Sequence, residues 1–328
     1  MVSSQIKSET FLPRRGLRGG HKQTLASFLL SRRIVLPAPE ERLIEVEPGV
    51  KVLCQCHWQS DRQTPLTIVV VHGLEGSSES AYMLGMTKKG LAAGMNVVRM
   101  NQRNCGGTEG GAPTLYHSGL SRDVAAVAQN LIEQDRISKF ALVGFSMGGN
   151  LVLKLAGEWG REGPSQFRAV AAVCPAMDLA ASSDALHSRS NRLYEYYFIW
   201  KLRRRLRSKA RLFPKVFETS RLRGVSTLRE FDDKITAHYC GFTGAVDYYA
   251  RAAAANVVDR IAAPAFILHA ANDPFIRILP ETRKKILANP NITFLETEDG
   301  GHCSFLAQPD GDDGRWAESQ VLEFLRKY

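Results

Sequence analysis

The chain has 328 residues, 44% of them hydrophobic and 23% charged, a composition that excludes a disordered or fibrous protein. Its apolar runs are far shorter than a membrane span and its first ten residues are polar, so we expect a cytoplasmic protein without a signal peptide. The six cysteines are scattered through a chain that is large enough to fold without disulfides, and we interpret them as free thiols.

The net charge of +10 comes from one segment. Residues 185–230 contain thirteen lysines and arginines and three acidic residues, so positive and negative charges are equal in number in the rest of the chain. Nucleic-acid binding would fit this charge, but no nucleic-acid-binding motif accompanies it, and we expect no nucleic-acid partner.

In chain order, residues 1–40 are predicted to form an arm with one short helix near 21–31. Apolar residues then alternate around a Pro-Gly turn, which predicts an antiparallel hairpin over 42–58. Short β-branched runs with helical patterns between most of them follow, and they predict a mostly parallel sheet with helices on both faces. The predicted strands are 66–73, 96–101, 140–145, 169–174, 265–270 and 292–297, and the predicted helices are 79–93, 119–134, 147–160 and 315–327.

A helical, basic segment over residues 177–247 interrupts this alternation. We predict that it is a cap inserted into an α/β core formed by 41–176 and 248–328, placed over the strand ends where open α/β sheets bind ligands.

One stretch of this segment, residues 192–213, combines aromatic and basic side chains. Leu202, Leu206 and Phe213 fall near one face of a helix, and the basic residues occupy the other faces: Arg203, Arg205, Arg207 and Lys209. Two interpretations stay open. The helix could contact an anionic membrane surface, or it could be a solvated cap whose apolar stripe lines an acyl pocket.

The run ALVGFSMGGN, residues 141–150, carries a predicted strand directly into Ser146. Gly144 and Gly148 flank that serine in a G-x-S-x-G pattern, which is the nucleophile elbow of α/β-hydrolases when a strand precedes it and a helix follows. The pattern predicts an α/β-hydrolase fold with Ser146 as the nucleophile.

A serine nucleophile needs an imidazole as its base and a carboxylate that orients the imidazole. In this fold the order along the chain is serine, acid, histidine. Asp273 follows the predicted strand 265–270 and His302 follows the strand 292–297, so we predict that they complete the triad. Asp178 is the alternative acid, whereas Asp299 is expected to cap the loop before His302.

Backbone N–H groups must stabilise the oxyanion of such a reaction. We predict that these donors are Met147, directly after the nucleophile, and Leu74 in the HGLEG loop. The neighbouring Glu75 is expected to turn away from the oxyanion towards a structural partner. Candidate residues at the pocket rim are Arg103, Tyr116 and His117.

No metal or organic cofactor is expected for this chemistry. The sequence CQCH at 54–57 has no second ligand pair at a usual spacing, and we interpret it as part of a strand.

Several blocks of the sequence resemble the YheT-like (embryogenesis-associated) branch of the α/β-hydrolases. They are FLPRRGLRGGHKQT, HGLEGSSESAY, MNQRNCGG, LYHSG, GFSMGGN, FDDKITAHYCGFTGAVDYY, NDPF and GGHCSF, which appear in that order over residues 11–325. The resemblance implies a serine hydrolase of carboxylic esters, with small ester or lipid substrates and the triad on Ser146, Asp273 and His302. Two alternatives remain at this point: a lipid-binding protein with vestigial turnover, and an acyltransferase that uses the same acyl-serine.

Overall fold

An eight-stranded sheet forms the centre of the molecule in a computed structural model that describes residues 11–30 and 32–328. Residues 1–10 and 31 of the predicted arm lie outside the described residues. The strands are β1 (Glu40–Glu47), β2 (Val50–His57), β3 (Thr67–Val71), β4 (Asn96–Met100), β5 (Phe140–Phe145), β6 (Phe167–Val173), β7 (Ala265–Ala270) and β8 (Ile292–Thr297). Their order across the sheet is β1-β2-β4-β3-β5-β6-β7-β8, and all pairings are parallel except those made by β2. The predicted mostly parallel sheet is confirmed.

The α-helices precede, separate or follow these strands, and none in the described part of the chain is both long and apolar enough to cross a membrane. They are α1 (Gly20–Leu29), α2 (Ala81–Ala92), α3 (Ser121–Asp135), α4 (Met147–Trp159), α5 (Leu179–Leu186), α6 (Arg192–Leu212), α7 (Leu228–Phe231), α8 (His238–Cys240), α9 (Ala245–Ala252), α10 (Pro280–Ala288) and α11 (Trp316–Leu325). Helix α10 is the one long element of the sheet region that the periodicity did not predict, because it buries only Thr282 and Ile286.

Alternate side chains of the central strands pack on opposite faces of the sheet, as parallel strands covered by helices require. Val69 and Leu142 belong to the cluster that includes residues of α3 and α4. Ile68 and Val143 belong to the cluster that includes residues of α2 and α11. The carboxyl ends of β5, β6, β7 and β8 therefore meet at one edge of a rigid layer.

Helices α5 to α9 occupy the segment between β6 and β7. The boundary predicted at residue 247 falls inside α9, because the chain remains helical to Ala252. A π-helical stretch, Asp232–Ala237, joins α7 to α8.

Helix α6 is held to the core by charged as well as apolar side chains. Leu202 and Leu206 are buried on its inner face, as the sequence predicted. Lys209 is fully buried as well, and its ammonium donates hydrogen bonds of 2.9 Å to Asn104 Oδ1 and to the Glu109 carbonyl. The sequence placed Lys209 off the apolar stripe, and its burial was not predicted; these carbonyl-type oxygens replace the water that its charge loses on burial.

Candidate active site

Ser146 lies at the turn from β5 into α4 with φ 54° and ψ −118°, a conformation that L-residues rarely adopt. The chain can make this turn because its neighbours have no side chain. A Cβ on Gly144 would come within 2.2 Å of the Gly148 carbonyl oxygen, and a Cβ on Gly148 would come within 2.3 Å of the Val71 carbonyl oxygen. The glycine spacing thus places the serine at the carboxyl edge of the sheet.

Asp273 and His302 form a hydrogen-bonded pair at the same edge. Asp273 Oδ2 lies 2.8 Å from His302 Nδ1, while its Oδ1 accepts the N–H groups of Phe275 and Ile276 at 3.0 and 2.9 Å. Burial alone would raise the pKa of Asp273. The His302 imidazole and the Ile276 N–H outweigh burial and hold the pKa of Asp273 below its ordinary value. Asp273 is therefore a buried carboxylate that fixes His302 with Nδ1 as the donor.

No hydrogen bond joins the Ser146 hydroxyl to His302 within the described residues. The other ring nitrogen, His302 Nε2, lies 4.0 Å from the Cys303 sulfur. Burial disfavours the charged imidazole, yet Cys303 and Asp273 together raise the pKa of His302 well above its ordinary value. Hydrogen bonds between a catalytic hydroxyl and its base are commonly long in unliganded enzymes and shorten when substrate binds.

Neither the alternative acid, Asp178, nor the loop residue Asp299 contacts His302 among the described residues. Asp178 accepts the Leu279 N–H at 2.9 Å and the Thr282 hydroxyl at 2.8 Å. Asp299 accepts the N–H of Gly19 at 3.0 Å and caps the loop. The carboxylate beside the imidazole is that of Asp273.

The two predicted oxyanion donors are free of protein acceptors among the described residues. The backbone N–H groups of Met147 and Leu74 form no hydrogen bond there, whereas those beside Leu74 are occupied. Gly73 donates to the Tyr82 hydroxyl at 3.0 Å and Glu75 donates to the Tyr116 hydroxyl at 2.9 Å. A substrate oxygen could accept the two free donors without displacing an existing bond.

Glu75 points away from these donors and connects the loop to helix α6. Its buried carboxylate pairs with Arg205 at 2.7 Å and accepts the Tyr116 hydroxyl at 2.7 Å. Lys201 donates to the Glu75 carbonyl at 2.6 Å. Two basic residues of α6 thus fix the loop that presents Leu74.

An apolar cavity of about 110 Å³ opens onto the serine. Ser146, Leu74 and Met147 belong to its lining, and helices α5, α6 and α7 supply ten of the remaining lining residues. Those lining side chains include Leu179, Leu186, Phe198, Leu202, Leu206 and Leu228.

Of the three residues predicted at the rim, Tyr116 and His117 line this cavity. Arg103 does not, and that prediction was wrong. Arg103 is buried elsewhere, where it donates to Asp123 at 2.6 Å and to Glu47 at 2.9 Å. The two carboxylates compensate the charge of Arg103, and these ion pairs connect the β1–β2 hairpin to α3.

The N-terminal helix has a role that sequence reasoning missed. The Thr24 hydroxyl accepts the backbone N–H of His302 at 2.9 Å, and Gln23 Oε1 accepts the Leu306 N–H at 2.7 Å. Helix α1 therefore holds the histidine loop from a distance of 278 residues along the chain. Only the GGHKQT block, residues 19–24, marked this region in the sequence.

Two overlapping groups of side chains bring possible metal ligands within 4.8 Å of one another: Cys174 with His302 and Cys303, and Cys174 with His269 and Asp273. Both groups include a member of the Asp273–His302 pair, so a metal bound there would compete with that pair for its nitrogen or oxygen atoms.

Comparisons with known proteins agree with this fold. A family model described as the alpha/beta hydrolase fold matches residues 67–309. YheT of Escherichia coli (strain K12) is 30% identical over 98% of this chain and 94% of its own length. Phospholipase ABHD3 of Mus musculus is 29% identical over 75% of this chain and 60% of its own length. The solved structure of the Pyrococcus furiosus esterase Pf2001 superimposes with a TM-score of 0.58 at 17% identity, covering 91% of this chain and 98% of that one.

Proposed function

The chain belongs to the YheT-like branch of the α/β-hydrolase superfamily and is a carboxylic ester hydrolase, and we propose that Ser146, Asp273 and His302 perform the hydrolysis through an acyl-enzyme. The observation that carries this proposal is that these three residues lie at the same edge of the sheet. A strained serine and two free N–H donors line one apolar cavity there, and the imidazole of the carboxylate–imidazole pair lies 4.4 Å from Phe275, which lines the same cavity.

The proposed reaction starts with Cys303 as the thiol and His302 as the neutral imidazole. The Ser146 hydroxyl attacks the ester carbonyl carbon and gives its proton to His302 Nε2. Asp273 accepts the Nδ1–H and stabilises the imidazolium that forms. The carbonyl oxygen, now an oxyanion, accepts the N–H groups of Leu74 and Met147. His302 then protonates the departing alcohol. A water molecule attacks the acyl-serine by the same sequence and releases the acid.

The first step requires His302 Nε2 to turn from Cys303 towards Ser146. This turn is a rotation of the His302 side chain, because the Thr24 hydroxyl holds the His302 backbone N–H at 2.9 Å. The Phe275 ring packs 4.4 Å from the imidazole.

We propose that helices α5 to α9 act as a cap that selects an apolar acyl group. Residues of this segment form more than half of the cavity lining, seven of them leucine or phenylalanine, and its charged residues there are Arg205 and Asp232. The relative named a phospholipase suggests that the natural substrate is a lipid ester.

A series of p-nitrophenyl esters tests this assignment. Each additional methylene that enters the cavity should raise kcat/KM by about fourfold until the cavity is full, since burial of one methylene contributes about 0.8 kcal/mol. Burst kinetics at high enzyme concentration would report the acyl-enzyme. Absence of turnover on the whole series would contradict the proposal and would favour a lipid-binding protein with vestigial activity.

We further propose that α6 brings the protein to anionic lipid surfaces. One stripe of this helix faces solvent at helical spacing, with apolar and aromatic residues in its first half and arginines in its second. This outer face of α6 consists of Leu193, Tyr196, Tyr197, Trp200, Arg204, Arg207 and Arg211. Phe28 of α1, which is 68% exposed, extends its aromatic end and lies 6.3 Å from the Tyr197 ring.

Vesicle binding tests this surface. A basic residue near an anionic membrane contributes about 1 kcal/mol, so the Arg204→Ala/Arg207→Ala variant should bind phosphatidylglycerol vesicles about 30-fold more weakly than the wild type. The control is Lys88→Ala/Lys284→Ala, which removes the same charge from exposed positions on α2 and α10. Equal weakening by both pairs in a sedimentation assay would refute a specific role for α6.

A further inference from the structure

Two thiols lie beside the proposed catalytic imidazole and have no part in the reaction described above. The sulfur atoms of Cys174 and Cys303 and a ring nitrogen of His302 all lie within 4.8 Å of one another. The Cys303 N–H points at the Cys174 sulfur at 3.4 Å, which places the backbone of one cysteine against the side chain of the other. Both residues have positive φ, 43° for Cys174 and 54° for Cys303. The fold therefore holds two distant cysteines in contact, at the end of β6 and in the histidine loop.

The two thiols have different chemical characters. Burial disfavours the Cys303 thiolate, but the Cys174 thiol and the His302 imidazole outweigh burial and lower the pKa of Cys303 to about 6. Cys174 is buried and its pKa is raised well above the ordinary value, so it stays protonated. A reactive thiolate beside a protonated second thiol is the arrangement found in redox-sensitive cysteine pairs.

A small cavity with a mixed polar and apolar lining reaches Cys303. It encloses about 50 Å³, which is room for one or two water-sized molecules. Its lining includes Ser27, Ser304, Tyr82 and Arg315, whose polar groups can hydrogen-bond a small peroxide. The other buried cysteines, Cys54, Cys56 and Cys105, have their pKa raised by burial and lack a neighbouring imidazole contact of this kind.

We propose that Cys303 and Cys174 form a peroxide-sensitive pair whose disulfide switches the active site off. Hydrogen peroxide is the two-electron oxidant. The Cys303 thiolate attacks one peroxide oxygen and breaks the O–O bond, which gives a sulfenic acid and hydroxide. The Cys174 thiol, losing its proton, then attacks the sulfenic sulfur, and the S–S bond forms with release of water.

The disulfide acts on catalysis through His302, and this consequence rests on the proposed function. An S–S bond of about 2 Å brings Cys303 closer to the end of β6 than it is in the thiol form. His302 is the preceding residue, so its main chain would be tied to Cys174. The imidazole would lose the freedom to turn towards Ser146, and hydrolysis would stop until a thiol reductant reopens the bond.

Mass spectrometry of the full chain after peroxide treatment tests the bond itself. We expect the loss of two thiols, a mass lower by about 2 Da and a peptide that joins Cys174 to Cys303, all reversed by dithiothreitol. Cys174→Ser should stop at the sulfenic acid of Cys303, whereas Cys240→Ser, which removes another half-buried cysteine, should oxidise like the wild type. A disulfide between other cysteines, or no loss of thiol at Cys303, would overturn the proposal.

Ester hydrolysis supplies the second readout. The wild type should lose more than about 90% of its activity on oxidation and recover it with dithiothreitol, whereas Cys303→Ser and Cys303→Ala should keep most of their own untreated activity. Circular dichroism would show which of these two variants is folded. Formation of the bond with full activity would overturn the switch. If the untreated enzyme hydrolyses no ester, the proposed function fails, while peptide mapping still decides whether the pair oxidises.

Discussion

Ser146→Ala is expected to lower kcat/KM for p-nitrophenyl butyrate by about 10⁴-fold or more and to abolish labelling by a fluorophosphonate probe. The variant removes the attacking oxygen, and only binding and the oxyanion donors would remain to accelerate attack by water. Alanine tolerates the φ of 54° no worse than serine does, so the melting temperature should stay within a few degrees of the wild type.

The matched control is Ser183→Ala. Ser183 also lines the cavity, but its hydroxyl accepts a hydrogen bond from Tyr249 at 3.1 Å and is not at the elbow. This variant should keep fluorophosphonate labelling. Retained turnover and labelling in Ser146→Ala would remove this serine from the reaction.

Asp273→Asn is expected to lower kcat by about 10⁴-fold with little change in KM. The amide cannot accept the Nδ1–H in the way a carboxylate does, so His302 would favour the tautomer that presents a proton, rather than a lone pair, to Ser146. The imidazolium that forms during attack would also lose its counter-charge.

Asp178→Asn makes this result interpretable, because Asp178 is another buried carboxylate near the strand ends and was the alternative acid in the sequence. Its partners are Leu279 and Thr282, so its replacement should affect stability more than kcat. A larger loss of kcat in Asp178→Asn than in Asp273→Asn would reverse the assignment of the acid.

The parts of the molecule that the sequence predicted best depend on local rules. The strand predicted at 140–145 is Phe140–Phe145, and the strand predicted at 292–297 is Ile292–Thr297, because short β-branched or apolar runs between helices have few other structures available. The glycines around Ser146 were equally informative, since the close approach of β5, α4 and β3 forbids any side chain there. Constraints of this kind are visible in the sequence within a stretch of about ten residues.

The parts that could not be predicted depend on partners far along the chain. Arg103 was placed at the rim, but Asp123 and Glu47 hold it in the interior. The helical pattern placed Arg205 and Lys209 off the apolar stripe of α6, and it did not show that they pair with groups 130 and 105 residues away. The helical periodicity of a sequence does not show which polar side chains contact a partner far along the chain.

The contact between Cys174 and Cys303 and the support of His302 by Thr24 have the same origin. Each joins segments that only the folded sheet brings together, 129 and 278 residues apart. Neither cysteine has a spacing that suggests a pair, and the threonine lies in a short helix with a weak apolar pattern.

Identification of the acylated side chain tests the central claim most directly. Wild-type protein would be mixed with a slowly deacylating p-nitrophenyl ester, quenched with acid during the burst and digested for peptide mass spectrometry. We predict one acyl group per chain, attached to Ser146, and none in His302→Ala. An acyl group on Cys303, whose thiol lies beside the same imidazole, or stoichiometric acylation of Ser146 without His302, would contradict the account.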